Sequence, residues 1–191
     1  MQPAITDPQT RHARPEEAPR LASRLAPRLA PRLAALHVEV WRETYAGFAP
    51  AEALEILDEA RRLPYWQACL GAPDPLTGAI LAVSGDDVLG VASFGPSTQP
   101  EMGGAVEIKH LYVRGPARGA GVGRLLLTAC FAYFQQLGVH AVALAVVREN
   151  DRARRFYAAM GGVEGVGYTD PGPLWRSSNI VVRWDLAGGD G

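Results

Sequence analysis

A glycine-rich loop in the second half of the chain has the composition of a phosphate-binding site. Arg118 is followed by Gly119, Gly121 and Gly123, and the segment lies between a predicted strand ending near Val113 and a predicted helix. The N-terminus of a helix presents backbone N–H groups without helical partners, together with the positive end of the helix dipole. Because glycine has no Cβ, a phosphate or pyrophosphate can come close to this backbone. We therefore expect an anionic ligand at this loop.

Two common phosphate-binding motifs do not match the loop. A Walker-type loop places a lysine after its last glycine, whereas Arg124 follows Gly123 here. A dinucleotide fingerprint, GxGxxG, follows the first strand of a βαβ unit and has an acidic residue about 20 positions further on. The present loop reads G-x-G-x-G and comes late in the chain. By itself it leaves a plain tight turn open as an alternative.

A second segment with functional residue types begins at Asn150. It reads N-x-x-A-x-x-F-Y-x-x-x-G as far as Gly161. Asn150 and Tyr157 are two helical turns apart, so both would face the same side of a helix. An apolar run at 139–147 lies between the two segments and is typical of a central buried strand.

Together the two segments resemble the signatures of the GNAT superfamily of N-acetyltransferases. The pattern R-x-x-G-x-G after a strand ending in LYV is similar to the family's acetyl-coenzyme-A signature, and the segment 150–161 is similar to its second signature. The resemblance covers residues 105–161 firmly and the segment 38–50 more loosely. The chain departs from the family pattern at Gly115, Ala117 and Gly162, where proline, an aromatic residue and a large apolar residue are frequent.

The resemblance implies an α+β (mixed α/β) fold: a central, mostly antiparallel twisted sheet of about seven strands with a splayed parallel pair, flanked by about four helices. Periodicity and turn residues predict helices at 31–45, 51–70 with a break at Pro64, 121–137 and 151–160. They predict strands at 79–84, 88–95, 105–113, 139–147, 163–168 and 178–186, with one short edge strand within residues 1–19.

We expect residues 31–187 to form one GNAT-like domain. Residues 1–30 are rich in arginine, proline and alanine and contain a repeated Arg-Leu-Ala-Pro unit, and they are predicted to form a flexible leader. The repeat is interpreted either as a basic docking arm or as an insertion without a role. Residues 188–191 are predicted to be a glycine-rich tail.

The resemblance also implies a set of cofactor-binding residues. The glycine loop would hold the pyrophosphate of acetyl-CoA, and the end of the preceding strand would pair with its pantetheine arm. The residues at the matching positions are Leu111, Tyr112, Val113, Arg118, Gly119, Ala120, Gly121, Val122, Gly123, Arg124, Asn150 and Tyr157. Asn150 is equally well interpreted as a helix cap, and it can do both.

Two side chains are the expected catalytic residues. Tyr157 matches the family tyrosine that protonates the leaving thiolate, and Glu107 matches a glutamate that acts as base through a water in some members. The alternatives are a core aromatic for Tyr157 and a solvated strand charge for Glu107. Strand periodicity places 107, 109, 111 and 113 on one face and His110, a weaker candidate base, on the other. Trp41, Tyr45 and Trp66 are candidates for the acceptor pocket or for the core.

The charge and cysteine content of the chain limit the classes of partner and cofactor that we expect. The chain has 191 residues and a net charge of −1, so no global field favours nucleic acid or an anionic membrane. Cys69 and Cys130 are too few and too far apart for a disulfide framework or a metal site, and we expect two buried thiols and no metal. The sequence predicts a cytoplasmic enzyme, with a homodimer as an option, that acetylates an amine of a small molecule or peptide. The alternative is a catalytically weak sensor that binds acyl-CoA.

Overall fold

The protein is described by a computed structural model, which covers residues 9–11, 18–97 and 99–186. Within these residues, seven strands form one sheet: β1 (Gln9–Arg11), β2 (Gly78–Ser84), β3 (Asp87–Pro96), β4 (Val106–Val113), β5 (Ala141–Val147), β6 (Val163–Asp170) and β7 (Ser177–Asp185). The same ranges contain five helices: α1 (Ala18–Tyr45), α2 (Ala51–Ile56), α3 (Glu59–Gly71), α4 (Val122–Gln136) and α5 (Asp151–Ala159). Short 3₁₀ turns cover Pro100–Met102 and Gly115–Ala117.

The strand order is β1-β2-β3-β4-β5-β7-β6, and every neighbouring pair is antiparallel except β4 and β5. This parallel pair is joined at only two positions, Val106 opposite Val142 and Glu107 opposite Ala143. Beyond them the two strands separate, so the rest of β4 and β5 borders a gap in the sheet. The predicted mixed fold with a splayed parallel pair is confirmed.

Helices cover both faces of the sheet. On one face α4 packs against β2, β3 and β4, and its buried Leu126, Leu127 and Phe134 belong to the largest apolar cluster. On the other face α1 and α3 pack against each other and against the sheet through buried residues such as Leu33 and Trp66. The continuous apolar run of β5 is that of a strand with both faces covered, since Val142 and Leu144 belong to the α4 cluster while Ala143 packs on the opposite face.

A β-bulge in β4 overturns the predicted strand faces. Ile108 is opposite Phe94, but the next pair joins His110 to Ser93, so Lys109 is an extra residue. A one-residue insertion moves every later side chain to the other side of the strand. Consequently Leu111 and Val113 face the α4 cluster, whereas His110 lies on the face of Glu107. The prediction that 107, 109, 111 and 113 share a face is wrong.

The first helix is longer than predicted. The expected start at Pro31 is wrong, because α1 begins at Ala18 and includes Pro27 and Pro31. Each proline removes one helical hydrogen bond. The two prolines are one turn apart on the exposed side, where water can satisfy the freed carbonyls, while Ala30 and Leu33 on the other side are fully buried.

The predicted break at Pro64 is also wrong, since Pro64 lies inside α3. The chain instead breaks between α2 and α3, where the side chain of Asp58 accepts a 2.8 Å hydrogen bond from the backbone N–H of Arg61 and caps α3. The other predicted helices and strands are confirmed to within a few residues, including an edge strand at β1. The rest of the predicted leader, residues 1–8 and 12–17, and the glycine-rich tail lie outside the described residues.

Cys69 and Cys130 are both free and buried, as expected. Burial raises the pKa of each thiol to about 12. Among the described residues, no helix is long and apolar enough to cross a membrane.

Candidate active site

The gap between β4 and β5 opens into a cleft of about 600 Å³, which we call the glycine-loop cleft. Its walls are the second half of β4, the loop 117–124, the middle of β5 and the inner face of α5, with part of α1 above. A second cavity of about 340 Å³ lies on the other side of the gap. We call it the aromatic pocket, because Trp41, Tyr45 and Trp175 contact one another along its wall.

The two cavities meet within the sheet. Tyr45, Lys109, His110, Tyr112 and Ala145 line both of them. A ligand in one cavity can therefore meet a ligand in the other at the junction that these shared side chains border.

The glycine loop exposes bare backbone to the cleft. Gly119 and Gly121 have φ angles of +83° and +81°, and a Cβ at either position would meet no atom within 4 Å. Gly121 caps α4 without a side-chain hydrogen bond, and the Leu125 N–H donates to the Gly121 carbonyl at 2.9 Å in the first turn of the helix. The first-turn N–H groups of α4 are thus available to an anion. They lie at the positive end of the helix dipole, which favours a negative charge there.

Arg118 is fixed beside this backbone. Its Nε donates to the Val113 carbonyl at 3.0 Å, and its Nη2 lies 2.8 Å from a carboxylate oxygen of Glu43. The buried Nη2 makes no well-aligned hydrogen bond within the described residues. The guanidinium is therefore held in place at the wall of the cleft.

The sequence-predicted cofactor residues cluster in the glycine-loop cleft. Eleven of the twelve line it: Leu111, Tyr112, Val113, Arg118, Gly119, Gly121, Val122, Gly123, Arg124, Asn150 and Tyr157. The twelfth, Ala120, is exposed and does not line the cleft. The Asn150 side chain also accepts a 3.1 Å hydrogen bond from Ala153 N–H, so it caps α5 as well as lining the cleft.

Tyr157 lies deep in the cleft. It is 9% exposed and its ring contacts those of Phe156 and Trp184. Burial raises its pKa well above the ordinary value of 10, and the neighbouring Tyr45 raises it further. Tyr157 therefore keeps its proton at neutral pH and can act as a proton donor.

Glu107, the predicted base, lies in the aromatic pocket rather than the glycine-loop cleft. Its carboxylate forms an ion pair with Lys109, which lines both cavities. The side chain is 12% exposed, so it is largely shielded from bulk solvent.

His110 is more central than the sequence indicated, because the bulge turns it into both cavities. Its Nδ1 is 2.8 Å from the hydroxyl of Ser93 and 3.2 Å from that of Tyr65. Burial, followed by the charges of Arg62 and Lys109, lowers its pKa to about 3. The imidazole is thus neutral at pH 7, and its Nδ1 is within hydrogen-bond distance of both hydroxyls.

Sequence reasoning missed most of the aromatic pocket. Arg62, Tyr168, Asp170 and Trp175 line it but belong to no motif. Of the three candidate acceptor aromatics, Trp41 and Tyr45 lie in the pocket, whereas Trp66 is fully buried in the core. Among the described residues, no cluster of histidine, cysteine or acidic side chains is arranged to hold a metal ion.

Comparison with known proteins identifies this arrangement. The model of the acetyltransferase (GNAT) family matches residues 34–161, which is well over half of the chain. The chain belongs to the GNAT acetyltransferase family. The match includes the glycine loop, both strands that border the gap and all of α5, so it contains the whole glycine-loop cleft. The wall of the aromatic pocket from Tyr168 to Asn179 lies beyond the matched residues.

Individual relatives are distant. The chain is 28% identical over 118 residues to the uncharacterized N-acetyltransferase YuaI of Bacillus subtilis (strain 168), a match that spans 61% of this chain and 65% of that relative. It therefore covers slightly less than two thirds of the relative's length.

Solved structures share the fold over nearly the whole chain. The structure of yncA from Salmonella typhimurium, solved with its cofactor acetyl-CoA, has a TM-score of 0.62 at 17% identity, and the match covers 97% of this chain and 98% of that one. The PaiA N-acetyltransferase of Thermoplasma acidophilum, in complex with coenzyme A, has a TM-score of 0.64 at 17% identity, with 94% and 99% covered. At these identities the likeness establishes the fold.

Proposed function

We propose that the protein is an N-acetyltransferase that moves an acetyl group from acetyl-CoA directly to a primary amine of a small molecule or peptide. The observation that supports this most strongly is the junction of two cavities at Tyr45, Lys109, His110, Tyr112 and Ala145. One cavity has an anion-binding backbone at its end, and the other is lined by polar and aromatic side chains.

Acetyl-CoA fits the glycine-loop cleft. Any Cβ at Gly119 or Gly121 would extend into the open space that a pyrophosphate needs, and the positive charge of Arg118 lies beside it in the wall of the cleft. The N–H groups of Val122, Gly123 and Arg124 would bind the pyrophosphate at the helix terminus. When bound, acetyl-CoA supplies an activated acetyl thioester.

The end of β4 offers a donor for the thioester carbonyl. Arg114 N–H donates to Leu89 O at 2.9 Å, so it points toward β3. Because successive N–H groups alternate sides along a strand, the Val113 N–H points toward the gap. A donor fixed at the reacting carbonyl stabilises the negative charge that develops there in acyl transfer.

Two side chains would handle protons on either side of the junction. Glu107, in the aromatic pocket, would accept a proton from the acceptor ammonium through a water, since an alkylammonium with a pKa of about 10 is not nucleophilic. Tyr157, in the glycine-loop cleft, would donate its proton to the departing thiolate. Cys69 and Cys130 line neither cavity, which supports direct transfer without an acetyl-cysteine stage.

The alternative is a sensor that binds acyl-CoA without efficient transfer. It retains the glycine-loop cleft but gives no role to the aromatic pocket. A cytoplasmic location, a homodimer and the absence of nucleic-acid partners stay predictions from the sequence.

The deciding experiment measures free-thiol release from acetyl-CoA across a panel of small amines and peptide amines, with mass spectrometry of each acceptor. We expect release that depends on the amine, together with an acetylated product. Tight acetyl-CoA binding without amine-dependent release from any member would contradict the proposal and favour the sensor.

A further inference from the structure

Arg62 brings a positive charge to the aromatic pocket without a matching negative charge. It lies on α3 and lines the pocket. Its Nε is buried and has no hydrogen-bond partner within the described residues. None of the ion pairs found among those residues includes Arg62. An arginine fork pairs well with a carboxylate, so an unpaired one inside a cavity indicates an anionic ligand.

The side chains around Arg62 are neutral at physiological pH. Burial lowers the pKa of Arg62, and its main electrostatic neighbours are the phenols of Tyr112 and Tyr65. Arg62 in turn lowers the pKa of His37 and of His110. A partly buried charge with only neutral neighbours is unfavourable unless a ligand supplies the counter-charge.

The carboxylates of the pocket itself are engaged elsewhere. Glu107 pairs with Lys109, and Asp170 accepts the backbone N–H of Gly172 at 2.9 Å. Neither is in an ion pair with Arg62. The charge on Arg62 is therefore left for a group that enters the pocket from outside.

The position of Arg62 sets where that group must lie. Arg62 lines the aromatic pocket together with His110 and Tyr112, and both of these residues also line the junction of the two cavities. The acceptor nitrogen must reach the same junction for acetyl transfer. An anionic group bound to Arg62 and the reacting amine would therefore lie in the same pocket, as parts of one acceptor.

We propose that the acceptor carries a carboxylate beside its amino group, as an α-amino acid does, and that Arg62 binds this carboxylate. This inference rests on the proposed function and specifies its substrate class. The rest of such an acceptor would contact the aromatic wall of Trp41, Tyr45 and Trp175. Arg62 acts here as a specificity-determining residue, while the proton transfers stay with Glu107 and Tyr157.

The test measures acetyl transfer from acetyl-CoA to each common amino acid and to the amine that the same amino acid gives on decarboxylation. We expect kcat/KM to favour the amino acid by about tenfold to a hundredfold, because a charge-assisted pair is lost in the amine. Arg62→Met should abolish this preference, chiefly by raising KM for the amino acid, and Arg62→Lys should keep part of it. Arg61→Met, at the exposed neighbouring position, removes the same charge and should leave the preference unchanged.

Each outcome is informative. Equal kcat/KM for amino acids and their decarboxylated amines, or an Arg62→Met variant that keeps the preference while folded by thermal melting, would overturn the inference. Acetyl-CoA binding with transfer to other amines but to no amino acid would also overturn it and leave the proposed function intact. Acetyl-CoA binding without transfer to any amine would instead contradict the proposed function.

Discussion

The two cavities that meet at the splayed strands are built in different ways. The glycine-loop cleft is formed by backbone groups and side chains from one continuous part of the chain, largely residues 108–157. The aromatic pocket takes its side chains from elements far apart in sequence, including Trp41 on α1, Arg62 on α3, Glu107 on β4 and Trp175 near β7. A site made of backbone depends on few residue types, whereas a site made of side chains can change with each substitution.

This contrast explains how one fold can keep a cosubstrate and change its acceptor. In the proposed complex the pyrophosphate would be bound by backbone N–H groups, which every residue except proline possesses, so only the glycines and the strand–loop–helix geometry would have to be kept. The acceptor is selected by charges and rings whose identities are free to vary. Substitutions in the two cavities should therefore affect different kinetic quantities.

The largest effect is expected for Tyr157→Phe. Removing the hydroxyl deletes the proposed acid, and general acid catalysis contributes about a hundredfold or more to a rate. We expect kcat to fall by that amount while the Kd for acetyl-CoA, measured by calorimetry, changes little. Tyr133→Phe is the matched control, since its hydroxyl bonds the Pro75 carbonyl at 2.8 Å and lines neither cavity. An unchanged kcat in Tyr157→Phe would remove this residue from the mechanism.

Glu107→Gln should have the next largest effect and separates two roles of this carboxylate. If Glu107 is the base, kcat/KM falls about tenfold to a hundredfold at neutral pH. The deficit shrinks as pH rises, because more of the acceptor is already deprotonated in solution. Lys109→Met breaks the same ion pair from the other side. Equal losses in both variants, independent of pH, would mean that Glu107 only positions Lys109.

Gly121→Ala tests the backbone-built cavity. Gly121 has a φ of +81° at the N-cap of α4, so an alanine there is strained by about 1–2 kcal/mol and adds a methyl group to the open loop. We expect the Kd for acetyl-CoA to rise about tenfold, which corresponds to about 1.4 kcal/mol. Gly138→Ala, with φ +70° beyond the other end of α4, carries similar strain outside the cleft. If both variants lost stability equally and neither lost affinity, the loop would not hold the cofactor.

The smallest effect concerns the pH dependence of stability near the aromatic pocket. Burial, followed by the charges of His110 and Arg62, lowers the pKa of His37 to about 2, so the folded protein keeps it neutral where the unfolded chain protonates it. The contribution of His37 to the free energy of unfolding is therefore fully present above the unfolded pKa of about 6.5, and it is lost progressively as pH decreases below that value.

His37→Leu should remove part of this dependence. Between about pH 7.5 and about pH 5.5 we expect the variant to lose about 1 kcal/mol less unfolding free energy than the wild type. Urea unfolding at the two pH values measures the difference. The same loss in both proteins would show that His37 is protonated in the folded state.

Much of the glycine-loop cleft was predictable because its determinants are local. The loop from Arg118 to Gly123 and the segment from Asn150 to Gly161 are continuous patterns, and the strand–loop–helix order around them follows from composition. Eleven of the twelve residues predicted for the cofactor do line the cleft. Their binding roles stay predictions until acetyl-CoA binding is measured.

The aromatic pocket was less predictable for two physical reasons. The bulge at Lys109 leaves no mark in the alternation of β4, yet it reverses the side on which His110 lies. Arg62 looks like an ordinary polar residue of α3, and only tertiary packing shows that its charge enters a cavity. Similarly, Pro27 and Pro31 disfavour a helix locally, yet α1 continues through both because its other face is buried against the core.

The claim that joins the two cavities is direct transfer across their shared junction. Initial rates measured while acetyl-CoA and the acceptor amine are varied together test it most directly. A ternary complex predicts double-reciprocal lines that intersect, since both ligands must be bound before the acetyl group moves. Parallel lines, the pattern of a covalent acetyl-enzyme, would contradict the account.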